Sequence, residues 1–152
     1  MVSRKVEIIT SKVGLPVLQI EHEERNLFIH SKYDPVKEAE QILSKYQEQI
    51  DQFQHVLFYG VGLGYHIKAF LEQYPEKLVS TYEPIVEVGE TCIDLQTETG
   101  YPSSKLKYAF IEKENDDLEH HLYTFSNHLT QKVLLIILPT YERILKDDLS
   151  RF

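Results

Sequence analysis

The sequence predicts an α/β fold in which a parallel sheet is flanked by helices and preceded by a small antiparallel meander. From residue 55 onward, strand-like and helix-like segments alternate, a pattern typical of right-handed parallel crossovers. A glycine-rich turn containing Gly60, Gly62 and Gly64 directly follows the first of these strands. Glu83 ends the second strand about 20 residues later, the spacing at which Rossmann-type crossovers place a ribose ligand. We therefore predict a half-Rossmann sheet with strand order 3-2-1-4.

Composition and charge limit the possible function classes. The 152 residues suffice for one ordinary core, and the 42% hydrophobic and 26% charged content is that of a soluble globular protein. A net charge of −8 argues against a nucleic-acid partner. The single cysteine excludes an internal disulfide and a multi-cysteine zinc site. The opening residues do not form an apolar leader, and the longest apolar run, 133–138, is too short to cross a bilayer. We expect a cytoplasmic protein with no membrane partner.

The first predicted unit, residues 1–33, is the antiparallel meander, with strands over 6–10, 16–21 and 26–30 separated by turn-like breaks. A helix is predicted to follow, because Asp34 can cap its free amides and Pro35 suits its first position. Its expected apolar face repeats at spacings of three and four and consists of Val36, Ala39, Leu43, Tyr46 and Ile50.

The second predicted unit, residues 34–152, contains that helix and the α/β layer. Strands are expected over 55–59, 78–82, 106–111 and 133–138, and helices over 64–73, 85–95 and 116–129. The continuous apolar run of the fourth strand suggests a central position, and Thr140 is expected to cap a final helix. Because complete Rossmann-type sheets carry further strands, we interpret the chain as the front piece of a longer protein.

The glycine turn is the candidate ligand site. Glycines allow a sharp turn and leave backbone amides free for a phosphate, carboxylate or sugar. The turn differs from the dinucleotide fingerprint because Tyr65 stands where the third glycine belongs. Its spacing is closer to that of S-adenosylmethionine-dependent methyltransferases, although Phe58 replaces their usual acidic residue. The alternatives are a tight turn without a ligand, a bound nucleotide-like ligand, and an active methyltransferase.

Two further side chains complete the candidate site. Glu83 could accept hydrogen bonds from two adjacent hydroxyls, or it could be a favourable charge at a helix N-terminus. His66 lies in the first turn of the helix and either faces a ligand or is exposed. The cofactor is therefore unknown, with S-adenosylmethionine or a nucleotide as candidates. We predict no catalytic residue and no metal site. The predicted ligand-binding residues are Gly60, Gly62, Gly64, Tyr65, His66 and Glu83.

Four segments taken together, 30–39, 58–66, 82–84 and 138–142, resemble the N-terminal region of the motility accessory factor family. Members of this family are bacterial glycosyltransferases that modify flagellin, and the resemblance covers roughly residues 25 to 145. It implies a longer protein whose central domain transfers a nucleotide-activated nonulosonic acid to Ser or Thr. That domain would follow residue 152, so no transferase residue can be assigned to this chain.

The resemblance leaves the role of the N-terminal region open. It implies an accessory domain that positions the acceptor protein, supports assembly, or holds a ligand. The implied partners are flagellin or another acceptor protein and the rest of the parent chain. The rival hypotheses from the residues are a methyltransferase-like ligand-binding domain and a structural α/β domain with no ligand.

Overall fold

The structure is a computed structural model, which describes residues 5–92, 108–111 and 132–145. An antiparallel sheet of order β1-β2-β3 comes first, as predicted. It consists of β1 (Val6–Thr10), β2 (Pro16–His22) and β3 (Arg25–Phe28).

The second sheet is parallel throughout its described strands. It contains β4 (His55–Tyr59), β5 (Leu78–Glu83), β6 (Tyr108–Ile111) and β7 (Val133–Ile137). The spatial order is β6-β5-β4-β7, which confirms the predicted order 3-2-1-4. The carboxyl ends of β4, β5 and β7 therefore meet at one edge of the sheet. All five residues of β4 are buried, as expected for a strand with a neighbour on each side and a layer on each face.

Five helices are described: α1 (Pro35–Lys45), α2 (Gln47–Gln52), α3 (Tyr65–Gln73), α4 (Val86–Cys92) and α5 (Pro139–Ile144). Asp34 caps α1 as predicted, since its Oδ1 accepts a hydrogen bond from the Lys37 amide at 3.0 Å. The prediction of one continuous helix with an apolar face reaching Ile50 is wrong. The structure has two helices, because α1 ends at Lys45 and α2 begins directly after Tyr46. The predicted apolar face is also wrong in part, because Val36 is 43% exposed and Ile42 is buried in the core.

Two predictions for the end of the chain are corrected. Among the described strands, β7 lies at the edge of the sheet beside β4, and not in its centre. Most of its residues are half-buried and not fully buried. Leu138, not Thr140, is the N-cap residue of α5, and the Thr140 hydroxyl instead donates to the Phe28 carbonyl oxygen at 2.7 Å. The predicted helix over 116–129 lies outside the described residues. Within the described ranges, each helix is too short or too polar to cross a membrane.

The turn between β2 and β3 has an unusual backbone. Glu23 and Glu24 both adopt positive φ, at 50° and 64°, and His22 pairs with Arg25 on either side of them. Positive φ at both central residues characterises a type I′ turn, where Asn-Gly is preferred. We expect Glu23→Asn with Glu24→Gly to raise the free energy of unfolding by about 1 kcal/mol. Urea denaturation measures this difference.

The control for that substitution must remove the same charge elsewhere. Glu48 and Glu90 are exposed on helices, so Glu48→Gln with Glu90→Gln lowers the negative charge equally without changing the turn. An equal gain in stability in this control would show that reduced charge repulsion, and not relief of backbone strain, is responsible.

Candidate functional site

The glycine turn lies at the carboxyl edge of the parallel sheet and is buried throughout, from Gly60 to Gly64. Gly60, Gly62 and Gly64 adopt φ of 99°, 55° and 80°, the left-handed region that favours glycine. A β-carbon on Gly60 would lie 2.5 Å from the Tyr141 ring, and one on Gly62 would lie 2.4 Å from the His30 ring. The glycines therefore allow side chains of the same chain to approach the turn closely.

The Glu83 carboxylate occupies the place beside the turn that a bound ligand would take under two of the three alternatives. Its Oε1 accepts hydrogen bonds from the amides of Val61 at 3.0 Å and Gly62 at 2.9 Å. Its Oε2 accepts from the Ile85 amide at 3.0 Å and the Tyr141 hydroxyl at 2.9 Å. Backbone amides that would hold a ligand anion in a Rossmann-type crossover are thus bonded to a side chain from the neighbouring strand.

The charge state of Glu83 depends on two opposing influences. Complete burial raises the pKa of Glu83 above its ordinary value, while the amides of Gly62, Ile85 and Val61 and the hydroxyl of Tyr141 oppose that rise. All four neighbouring groups are donors, and an ionised carboxylate can accept from each of them without conflict. The geometry therefore fits a buried anion held by the turn.

His30 satisfies a third amide of the turn. Its Nε2 accepts a hydrogen bond from the Leu63 amide at 2.9 Å, so this nitrogen carries no proton. The ring is 2% exposed and makes an edge contact with the Tyr65 ring, with centroids 5.3 Å apart. Burial, together with the nearby His66, lowers the pKa of His30 to about 3. His30 is thus a neutral acceptor that connects the end of the meander to the turn.

His66 supports the turn from the first turn of α3. Its Nε2 lies 2.9 Å from the Gly60 carbonyl oxygen, and because a carbonyl only accepts, Nε2 must carry the proton. Its Nδ1 is buried, with no hydrogen-bond partner within the described residues. The ring packs edge-on against Phe58, with centroids 5.3 Å apart. Burial lowers the pKa of His66 to about 4, although the hydrogen bond to Gly60 opposes this shift.

Three contacts close the carboxyl edge from outside the sheet. Tyr141 of α5 packs its ring against Gly60 while its hydroxyl reaches Glu83. Tyr65 donates its hydroxyl to the Pro16 carbonyl oxygen of β2 at 2.6 Å, and Thr140 reaches β3 as described above. The meander and α5 therefore cover the edge at which Rossmann-type sheets bind ligands.

The six predicted site residues are brought together, but the expected free amides are not present. The amides after Gly60 are bonded to Glu83 and His30, and the turn is buried instead of open. Of the two alternatives for His66, an exposed side chain is wrong, because the residue is 1% exposed. Ligand binding by these six residues stays a prediction, now without an open cleft to favour it.

Two residues of the site were missed by the sequence reasoning, His30 and Tyr141. Both lie in segments that carry the family resemblance, 30–39 and 138–142; His30 is the last residue of a predicted strand, and Tyr141 follows another one closely. Their position in those segments was the available signal. The side chain of Cys92 and the histidines at 120, 121 and 128 lie outside what the structure describes.

Two of the three histidines that are buried among the described residues, His30 and His66, predict a loss of stability in acid. Both have pKa values in the folded state below the ordinary 6.5, so the unfolded chain binds more protons between those values. The stability that the two neutral histidines contribute is complete above pH 6.5. It decreases as the pH falls toward their folded-state pKa values, about 4 for His66 and about 3 for His30, by at most about 1.4 kcal/mol per pH unit for each histidine. Glu83 acts in the opposite sense, because its folded-state pKa is raised above the ordinary 4.5. Above pH 4.5 the folded chain therefore binds this proton more readily than the unfolded chain does, and its stability increases as the pH falls, which offsets part of the loss from the histidines.

We therefore expect the free energy of unfolding to fall by about 1 to 3 kcal/mol between about pH 7 and about pH 5. Urea denaturation across this range measures the slope. His30→Gln should flatten it, because the amide oxygen can accept from Leu63 without titrating. Equal slopes in the wild type and in His30→Gln would contradict the assignment.

Comparison with known proteins gives a family match and a structural match. The family model described as the glycosyltransferase Maf N-terminal domain matches residues 4–88, more than half of the chain. No curated protein sequence matches the chain. Among solved structures, the chain is similar to the Maf glycosyltransferase from Magnetospirillum magneticum AMB-1, with a TM-score of 0.52 and 15% identity. The match covers 95% of this chain and 30% of that one, and at this identity it shows a shared fold alone.

Proposed function

The chain belongs to the family of glycosyltransferase Maf N-terminal domains, and from that premise we propose that it is a non-catalytic accessory domain of a bacterial flagellin glycosyltransferase-like protein. In this role it acts in the cytoplasm, where it positions the acceptor protein or supports assembly with the rest of the parent chain. The chain spans 30% of the length of the similar glycosyltransferase. As part of the same proposal, we assign the transfer reaction to the remainder of the parent protein.

The observation that supports this proposal is the internal occupation of the glycine turn. Hydrogen bonds to Glu83 and His30 use the amides of Val61, Gly62 and Leu63. A nucleotide or S-adenosylmethionine entering this place would have to displace a buried carboxylate and its donors, at a cost of several kcal/mol. The turn thus acts as a structural connection, and a rigid α/β layer with surface loops suits the recognition of a folded partner.

Ligand titration tests the structural role of the turn. We expect no heat and no melting shift with S-adenosylmethionine, S-adenosylhomocysteine or a cytidine-monophosphate sugar. A ligand present at 100 times its dissociation constant would stabilise the fold by about 2.7 kcal/mol, which a thermal scan detects readily. A saturable melting shift with any of these ligands would contradict the proposal and support a ligand site at the turn.

A binding experiment tests the positioning role. Purified flagellin of the source organism is titrated into the labelled chain, and saturable binding is expected. A flagellin variant in which the glycosylated Ser and Thr residues are replaced by alanine should bind equally, because this domain contacts the protein and not the reacting hydroxyls. Absence of binding, both to flagellin and to the separately expressed remainder of the parent protein, would contradict the accessory role.

A further inference from the structure

We draw no further inference here: the strongest candidate, the groove of about 390 Å³ between α1 and α3, is lined by Glu40 and Glu72 as well as by Lys68, and nothing in the part of the chain that the structure describes shows what covers it.

Discussion

Glu83→Ala is expected to destabilise the chain by roughly 3 to 5 kcal/mol, a large part of the stability of an ordinary domain. The change removes a buried carboxylate that accepts from four donors, on Val61, Gly62, Ile85 and Tyr141. Each unsatisfied buried group costs about 1 to 3 kcal/mol, although such costs are not additive. Urea denaturation at neutral pH measures the loss.

A small anion should restore part of this loss. Formate supplies the missing carboxylate without a side chain, and it can occupy the space that Glu83→Ala leaves among the four donors. We expect added sodium formate to stabilise Glu83→Ala more than sodium chloride of equal ionic strength, and to leave the wild type unchanged. If Glu83→Ala does not fold, the isosteric Glu83→Gln, with one acceptor oxygen left, gives a smaller loss that can be measured.

The control for these experiments is Glu90→Ala, which removes a carboxylate from an exposed position on α4. It should change stability by less than about 0.5 kcal/mol and show no specific response to formate. A loss in Glu83→Ala no larger than in Glu90→Ala would mean that the four hydrogen bonds contribute nothing to stability.

Gly62→Ala is the second change with a large expected effect, roughly 2 to 5 kcal/mol. The new β-carbon would lie 2.4 Å from Nε2 and 2.7 Å from Cε1 of His30, and it would force φ of 55° on an alanine. The His30 ring cannot simply move aside, because it is buried and accepts from the Leu63 amide. Displacement of the ring would therefore also break that hydrogen bond.

Gly14→Ala is a matched control, because Gly14 also has positive φ, 88°, but has nothing within 4 Å of the added carbon. It should cost about 1 to 2 kcal/mol through backbone conformation alone. Thermal and urea denaturation of both variants separate this backbone cost from the cost of crowding. Equal losses would show that close packing of His30 against the turn is not required.

The layout of the parallel layer was predictable because local patterns determine it. Short apolar runs bounded by turns predicted β4 and β7, and the glycines predicted where β4 turns into α3. The order 3-2-1-4 then followed from right-handed crossovers and short connections. The break at Tyr46 and the exposure of Val36 were not predictable, because periodicity defines a helix face only approximately and does not show what packs on it.

The occupant of the glycine turn could not be predicted for a different reason. The turn has the same glycine spacing whether its amides hold a ligand or a side chain of the same chain. The decisive contacts join Glu83 to Tyr141, 58 residues apart, and Leu63 to His30, 33 residues apart. Such pairings depend on how the meander and α5 pack against the sheet, which no local pattern encodes.

The long-range closure of the carboxyl edge has a consequence for synthesis of the protein. Phe28 and Thr140 are joined by a hydrogen bond across 112 positions, and Tyr141 provides the last donor to Glu83. While the ribosome is still translating the middle of the chain, the nascent segment up to β5 must hold a buried acid with an incomplete shell of donors. Emergence of α5 from the exit tunnel is then the event that completes the donor shell of Glu83, and earlier nascent lengths should depend most on chaperones.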